Sequence, residues 1–275
     1  MKNILILGVD GFIGNALYNK LKTQQDFQVD GTSRKTNSEY LFLDLNNEQT
    51  NSNIIWEKYD LVYCCIGSIN YGSSIDSLVS NIQTNVVDTL KIFKKLKPHQ
   101  KLVYLSTHVS KLELKDHNSY SFSKYMFENS AEVLENNENL KIVRVPGIFS
   151  SKRKQGLFHN LQKAFKDNDE FTFNFDPKKW HIMELERLVD ILSIFSHKEV
   201  KEKVLDIAYP LEISMRIIYQ AFKDYFKKDI VFIGDKDKKE DYLPDVQTLL
   251  QYYSIEKEDF QKDVHKYLGE SKCNI

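Results

Sequence analysis

Tyr120 and Lys124 stand four residues apart in Tyr120-Ser-Phe-Ser-Lys124, so a helix through them carries a phenol and an ammonium on one face. A nearby ammonium favours phenolate and lowers a tyrosine pKa from its reference of about 10. That would make Tyr120 a general acid or base near neutrality. The spacing alone is common, since Tyr18, Tyr219 and Tyr253 also have a lysine four residues on; ordinary surface or core roles are expected there. Tyr120 differs in context. It opens a helix shortly after the apolar run Leu102–Ser106, whose end carries two hydroxyls, Ser106 and Thr107. Such a hydroxyl can bind a carbonyl oxygen that Tyr120 protonates as a hydride arrives.

A source of hydride is legible at the start of the chain. Gly8-Val-Asp-Gly11-Phe-Ile-Gly14 follows an apolar strand and opens a helix. Glycines there make the turn, admit a pyrophosphate to the backbone and let the helix pack close to the strand. The phosphates then meet free N–H groups at a helix N-terminus. A nicotinamide dinucleotide contacting Gly8, Gly11, Phe12, Ile13 and Gly14 is expected. The second strand ends Asp30-Gly-Thr-Ser33-Arg34-Lys35. An acid at the position of Ser33 would read the ribose hydroxyls of NAD; Asp30 falls too early for it. Ser33, Arg34 and Lys35 instead suit a 2′-phosphate, so NADP(H) is preferred, with NAD(H) as the alternative. Asp44 and Leu45 would lie beside the adenine, although Asp44 could equally cap the next helix. No metal is expected.

The elements that must position these residues alternate. Strands are predicted at Asn3–Leu7, Gln28–Thr32, Tyr40–Asp44, Leu61–Cys65, Leu102–Ser106 and Ile142–Val145, with helices near Gly14–Lys22, Ser77–Lys97 and Tyr120–Asn136. This is the pattern of an α/β, Rossmann-type doubly wound parallel sheet. Residues 1–150 form the dinucleotide-binding domain. Residues 151–275 form a smaller α/β substrate-binding domain, from which a segment around 180–210 returns to the first. Helices are expected there at Leu157–Lys166 and Glu186–Ser196, and strands at Phe171–Phe175 and Val204–Ala208.

Bulk composition narrows the partners. Lys and Arg number 38 against 39 Asp and Glu, giving a net charge of −1, and the charges are scattered, so neither nucleic acid nor an anionic membrane is implicated. No run of about 18 apolar residues exists to span a membrane. The three cysteines, Cys64, Cys65 and Cys273, suggest no disulfide framework. A reducing cytoplasm is the expected location.

Together, the glycine turn, Ser106-Thr107 and the Tyr120/Lys124 pair resemble the short-chain dehydrogenase/reductase superfamily, and most closely its extended, nucleotide-sugar-modifying branch, the epimerase/dehydratase group. Asp60–Gly67 resembles the fourth strand of that branch, which places Cys65, Ile66 and Gly67 beside the cofactor. Asn85–Leu90 resembles its Asn-Val-x-Gly-Thr helix, with Asp88 in place of Gly. Arg144–Phe149 resembles the strand whose end, at Pro146, approaches the nicotinamide. Trp180–Leu192 resembles a later strand-to-helix segment, with Trp180 where an Arg is common. The likeness is close over residues 1–150 and loose beyond. It implies that Tyr120 is the general acid/base and that Lys124 holds the nicotinamide ribose. It also implies that Ser106 or Thr107 polarises the carbonyl; Ser106 is preferred, because it leaves Val109 in the family's register.

The resemblance also bears on the reaction. Dehydratases of this branch carry Asp-Glu after the catalytic hydroxyl; here His108-Val109 stands there, against dehydration. His108 is either an extra acid/base or a loop histidine at the cleft rim, and His159 lies about two residues from a partner position used by reductases that also epimerise. The leading expectation is NADPH-dependent reduction of a 4-keto-6-deoxy nucleotide sugar. A 4-epimerase, or a 3,5-epimerase/4-reductase, is the alternative, and a non-catalytic NADP(H) sensor the second. The basic loop Lys152–Lys154 could meet the substrate diphosphate, and Phe171, Phe173 and Trp180 could stack its base. A homodimer through Ser77–Lys97 and Tyr120–Asn136 is the family's habit.

Overall fold

The computed structural model describes residues 1–36, 38–45, 53–135, 137–174, 181–235 and 242–270, with backbone alone at 172–174 and 232–235. The chain divides into two compact units, the first comprising Met1–Val145 with Val189–Asp206, the second Pro146–Leu188 with Ile207–Ile275.

The first unit is built on β1 (Lys2–Leu7), β2 (Phe27–Ser33), β3 (Leu41–Phe42), β4 (Leu61–Cys64), β5 (Lys101–Thr107) and β6 (Leu140–Val145), joined later in the chain by β10 (Val204–Asp206). These seven strands lie in the order β10-β6-β5-β4-β1-β2-β3, and every pairing is parallel. Strands covered on both faces read as continuous apolar runs. Accordingly Ile4–Leu7, Leu61–Cys64 and Leu102–Tyr104 are all fully buried. The strand order reverses between β1 and β4, and a ligand crevice opens at such a point, beyond the carboxyl ends of the strands.

Helix α1 (Phe12–Lys22) follows β1, and α4 (Ser119–Glu132) follows β5. The helix predicted over Ser77–Lys97 is three pieces: α2 (Ile75–Ile82), a π-helical segment Gln83–Asp88 and α3 (Thr89–Lys95). Wide turns of this kind recur at functional sites. The strand predicted at Tyr40–Asp44 is confined to Leu41 and Phe42, paired only with β2 at the sheet edge.

The second unit holds β7 (Gly147–Phe149), α5 (Leu157–Asp167), β8 (Phe171–Asn174), β9 (Ile182–Glu184), α7 (Met215–Phe226), β11 (Phe232–Asp235), α8 (Val246–Leu250) and α9 (Lys257–Glu270). Its core is aromatic: Phe149 stacks on Phe158 with centroids 4.0 Å apart, and Phe158 meets Phe222 and Tyr267 edge-on. Helix α6 (Leu185–His197) runs from this unit into the first. Among the described residues, no helix is long and apolar enough to cross a membrane.

Candidate active site

The turn after β1 has the geometry its glycines predict. Gly8 has φ +86°, a left-handed backbone that a side chain would strain. A Cβ on Gly14 would lie 2.3 Å from the Gly8 carbonyl oxygen, so α1 packs against the strand only because no side chain is there. Gly11 stands at the N-cap of α1, and the first turn, begun by Phe12 and Ile13, has no acidic residue. This is a cradle for an anionic pyrophosphate.

A cavity of about 650 Å³ opens beside the turn, lined by Gly8, Gly11, Ser33, Arg34, Asp44, Leu45, Cys65, Ile66 and Gly67. Nine of the residues proposed from sequence for the cofactor thus share one space, large enough for a nucleoside. Lys35 is not among the lining residues: its Nζ lies 3.2 Å from Asp10 Oδ1. Asp30 is occupied in mid-strand, accepting from Tyr59 Oη at 2.8 Å and pairing with Lys58 at 2.6 Å. Pro146 begins the second unit. Sequence reading missed Asp10, Ser68 and the wall from Asp76, Val79, Ser80, Gln83, Thr84 and Asp88. The π-helical segment supplies the last three, and no periodicity signal distinguishes it from the helix around it.

The acid/base pair is set by the start of α4. Asn118 and Ser121 form a reciprocal capping box, with the Ser121 N–H donating to Asn118 Oδ1 at 2.9 Å; such a cap fixes where the helix starts. Tyr120 and Lys124 then fall one turn apart. Ser119 Oγ binds the carbonyls of Asn70 and Gly72, each at 2.7 Å. This holds the loop after β4 so that Tyr71 meets the Tyr120 ring edge-on, 5.6 Å between centroids. Asn85, from the π-helical segment, binds Ser123 Oγ and both backbone polar groups of Ser68 at 2.9 Å.

The hydroxyl beside Tyr120 is that of Thr107, close enough to the phenol to oppose the rise of its pKa. Ser106, the hydroxyl preferred from sequence, is engaged elsewhere. Alternation along β5 sends neighbouring side chains to opposite faces, and Ser106 Oγ donates to Glu128 Oε1 at 2.5 Å inside the protein. Glu128 also accepts from Ser110 at 2.7 Å and from Arg144 at 2.8 Å, and Arg144 reaches Asp206 at 3.3 Å. This buried ionic network braces β5, β6, β10 and α4 behind the site. His108, 4% exposed, is buried in the short turn His108–Lys111 after β5; it is neither open at a rim nor a lining residue of the cavity.

Lys124 is also buried. Its Nζ donates to the Leu105 carbonyl at 2.7 Å and sits 4.3 Å above the Tyr104 ring. Gly67 lies beside it: a Cβ there would make an ordinary contact with the ammonium at 3.7 Å. Burial lowers the Lys124 pKa to about 8. Burial likewise raises Tyr120 to about 12, Tyr71 adding to the rise and the Thr107 hydroxyl opposing it. The expected depression of Tyr120 by Lys124 is therefore not seen: the ammonium is engaged with Leu105 and Tyr104 instead.

In the second unit, Arg153 Nη1 donates to the Ile148 carbonyl at 2.8 Å, while Lys152 and Lys154 are exposed. His159 is half-buried on α5. Trp180 and the side chain of Phe173 lie outside the described residues. Glu184 caps the start of α6 through the N–H groups of Glu186 and Arg187 at 2.6 and 3.1 Å, and burial raises its pKa to about 7. Among the described residues no group of three or more His, Cys, Asp or Glu is placed to hold a metal.

A sequence model of the NAD dependent epimerase/dehydratase family matches residues 4–168. No curated protein matches the sequence. Among solved structures, UDP-glucuronic acid 4-epimerase from Bacillus cereus, in complex with UDP-glucuronic acid and NAD, is similar over 98% of this chain and 99% of its own, with a TM-score of 0.73 and 17% identity. UDP-N-acetylglucosamine 4-epimerase from Methanobrevibacter ruminantium, in complex with UDP-N-acetylmuramic acid, covers 100% and 99% with a TM-score of 0.76 and 14% identity. ADP-L-glycero-D-manno-heptose-6-epimerase from Helicobacter pylori covers 98% and 96%, with a TM-score of 0.76 and 16% identity. At these identities the likeness establishes the fold.

Proposed function

The chain belongs to the NAD-dependent epimerase/dehydratase family, whose sequence model spans more than half of it, and from that premise we propose that it is a nucleotide-sugar 4-epimerase working with a bound NAD. The observation that carries this reading is the Thr107 hydroxyl beside Tyr120, with Lys124 one turn further along α4, in the same unit as the glycine cradle and its cavity. The 4-epimerases among the similar structures, one with UDP-glucuronic acid and NAD and one with UDP-glucose, support it over simple ketoreduction.

Tyr120 takes the proton of the sugar hydroxyl as the carbon is oxidised and returns it when the carbon is reduced on its other face. A bound NAD supplies the hydride acceptor and, in its oxidised form, a positive ring that favours phenolate. Thr107 holds the oxygen that becomes the carbonyl. Lys124, largely protonated at neutral pH, anchors the ribose beside Gly67. The basic residues Lys152, Arg153 and Lys154 of the second unit suit a diphosphate. Pairing of two copies through α2, α3 and α4 follows the family's habit; α2 leaves Ile75 and Val79 exposed. A reducing cytoplasm suits the free thiols of Cys64 and Cys65.

The test is incubation of the purified protein and NAD with a panel of UDP-, dTDP-, GDP- and ADP-sugars, with the C4 proton followed by NMR. Appearance of the 4-epimer supports the reading. A second reading, NADPH-dependent 4-ketoreduction, is favoured by the exposed Arg34 at the cavity. NADPH oxidation by a 4-keto sugar nucleotide, with no epimer formed by any sugar of the panel, would establish it instead. Tight dinucleotide binding with neither reaction would point to the sensor.

A further inference from the structure

We propose that Asp10, carried by the glycine turn, is the acid that reads the adenosine ribose and selects NAD over NADP in this chain. The inference rests on the dinucleotide reading of the site. An acid for this task ordinarily ends β2, but here that position is Ser33, and the nearest acid on the strand, Asp30, is committed to Tyr59 and Lys58.

The fold delivers a carboxylate to the same place by another route. The turn is stapled to β2: the Val9 N–H donates to the Thr32 carbonyl at 3.0 Å and the Gly8 N–H to Thr32 Oγ1 at 3.2 Å. Gly31 permits this approach, since a Cβ on it would lie 2.5 Å from Val9 Cγ1. The next residue of the turn is Asp10. Its Oδ2 accepts a hydrogen bond from Ser33 Oγ, its Oδ1 lies 3.2 Å from Lys35 Nζ, and Ser33 Oγ in turn accepts from the Lys35 N–H at 2.9 Å. Asp10 and Ser33 both line the cavity. The Asp10 side chain is 35% exposed, so it is held in place but open to a ligand.

The Ser33 hydrogen bond and the Lys35 charge keep the Asp10 carboxyl below the usual carboxylate range, so it is ionised at every physiological pH. An ionised carboxylate accepts the two O–H groups of a ribose diol. A 2′-phosphate offers no such donors, brings about two negative charges, and would have to take Lys35 away from Asp10. The other charged residues that line the cavity are Arg34, Asp44, Asp76 and Asp88, so acids outnumber bases there. Lys35 therefore serves the NAD-reading acid and is not a phosphate ligand.

Dissociation constants for NAD and NADP, measured by calorimetry on the wild type, Asp10→Asn, Lys35→Ala and the Asp10→Asn/Ser33→Asp double variant, test this. Loss of a charge-assisted hydrogen bond predicts that Asp10→Asn weakens NAD roughly ten- to hundredfold while NADP binds no worse. The double variant, with the acid moved to the strand, recovers NAD. Lys35→Ala leaves NAD preferred. The proposal is overturned if Asp10→Asn leaves the NAD-to-NADP ratio unchanged, or if Lys35→Ala selectively weakens NADP in a wild type that prefers it. A folded wild type that binds neither dinucleotide would refute the dinucleotide reading itself, an outcome distinct from both.

Discussion

Exchange of the two adjacent hydroxyls at the end of β5 separates catalysis from architecture. Thr107 faces Tyr120, whereas Ser106 is 3% exposed and its hydroxyl ends 2.5 Å from Glu128. Thr107→Val keeps the shape and removes the donor to the reacting oxygen, and loss of one such donor costs roughly 10²–10³ in kcat. It also removes the hydroxyl that holds the Tyr120 pKa down, which adds to the loss in the oxidative step. Its stability should change by less than about 1 kcal/mol. Ser106→Ala does the reverse. Glu128 keeps Ser110 and Arg144, so its charge remains paired, and the net loss is one hydrogen bond to a charged group, about 2 kcal/mol. At roughly 2–4 °C per kcal/mol, the melting temperature falls by several degrees while kcat stays within about threefold. The assay is epimer formation under saturating sugar nucleotide, beside thermal unfolding of both variants. A Ser106→Ala enzyme that melts like wild type but loses roughly a hundredfold or more in kcat, with Thr107→Val active, would refute the assignment.

Other outcomes follow from the same geometry. Gly14→Ala places a methyl 2.3 Å from the Gly8 carbonyl, so α1 must shift; dinucleotide affinity should drop at least about tenfold by calorimetry. Glu128→Ala leaves Arg144 paired with Asp206 but takes the shared acceptor from Ser106 and Ser110; a lost hydrogen bond to a charged group costs about 1.5–3 kcal/mol, readable as a lower urea midpoint. Burial holds the folded pKa of Glu184 at about 7, above the ordinary 4.5, so between those values the folded state binds more protons than the unfolded one and stability falls as pH rises. Glu184→Gln should flatten that fall in unfolding free energy between about pH 4.5 and 7; an unchanged profile would contradict the assignment. Lys124, at about 8 in the fold, has the opposite linkage: the unfolded chain binds more protons between about 8 and 10.5, so stability rises with pH there, and Lys124→Met should remove the rise.

The parts of the site legible in the sequence are those that only a few residue types can build. Gly8 and Gly14 answer a left-handed φ and a 2.3 Å approach, and no other residue would serve. The continuous apolar runs of β1, β4 and β5 imply strands covered on both faces, which is how the seven-stranded parallel sheet could be anticipated. What escaped depends on phase and on distant partners. Whether Ser106 or Thr107 faces the site turns on one residue of register, settled by Glu128 and Arg144 from α4 and β6. The break of Ser77–Lys97 into a π-helical turn leaves the helical pattern intact to the eye. Lys35 looks like a phosphate ligand in one dimension because Asp10, 25 residues earlier in the chain, is brought to it only by the stapling of turn to strand.

The central claim is that Tyr120 moves the proton beside a bound dinucleotide, and Tyr120→Phe tests it most directly. With the sugar nucleotide identified by the NMR panel, turnover of the variant and its NAD dissociation constant are measured together. Removal of the acid/base predicts turnover down by roughly 10²–10⁴, with NAD binding within about threefold of wild type, because Tyr120 does not line the nucleoside cavity. A variant that keeps a tenth or more of wild-type turnover would contradict the account.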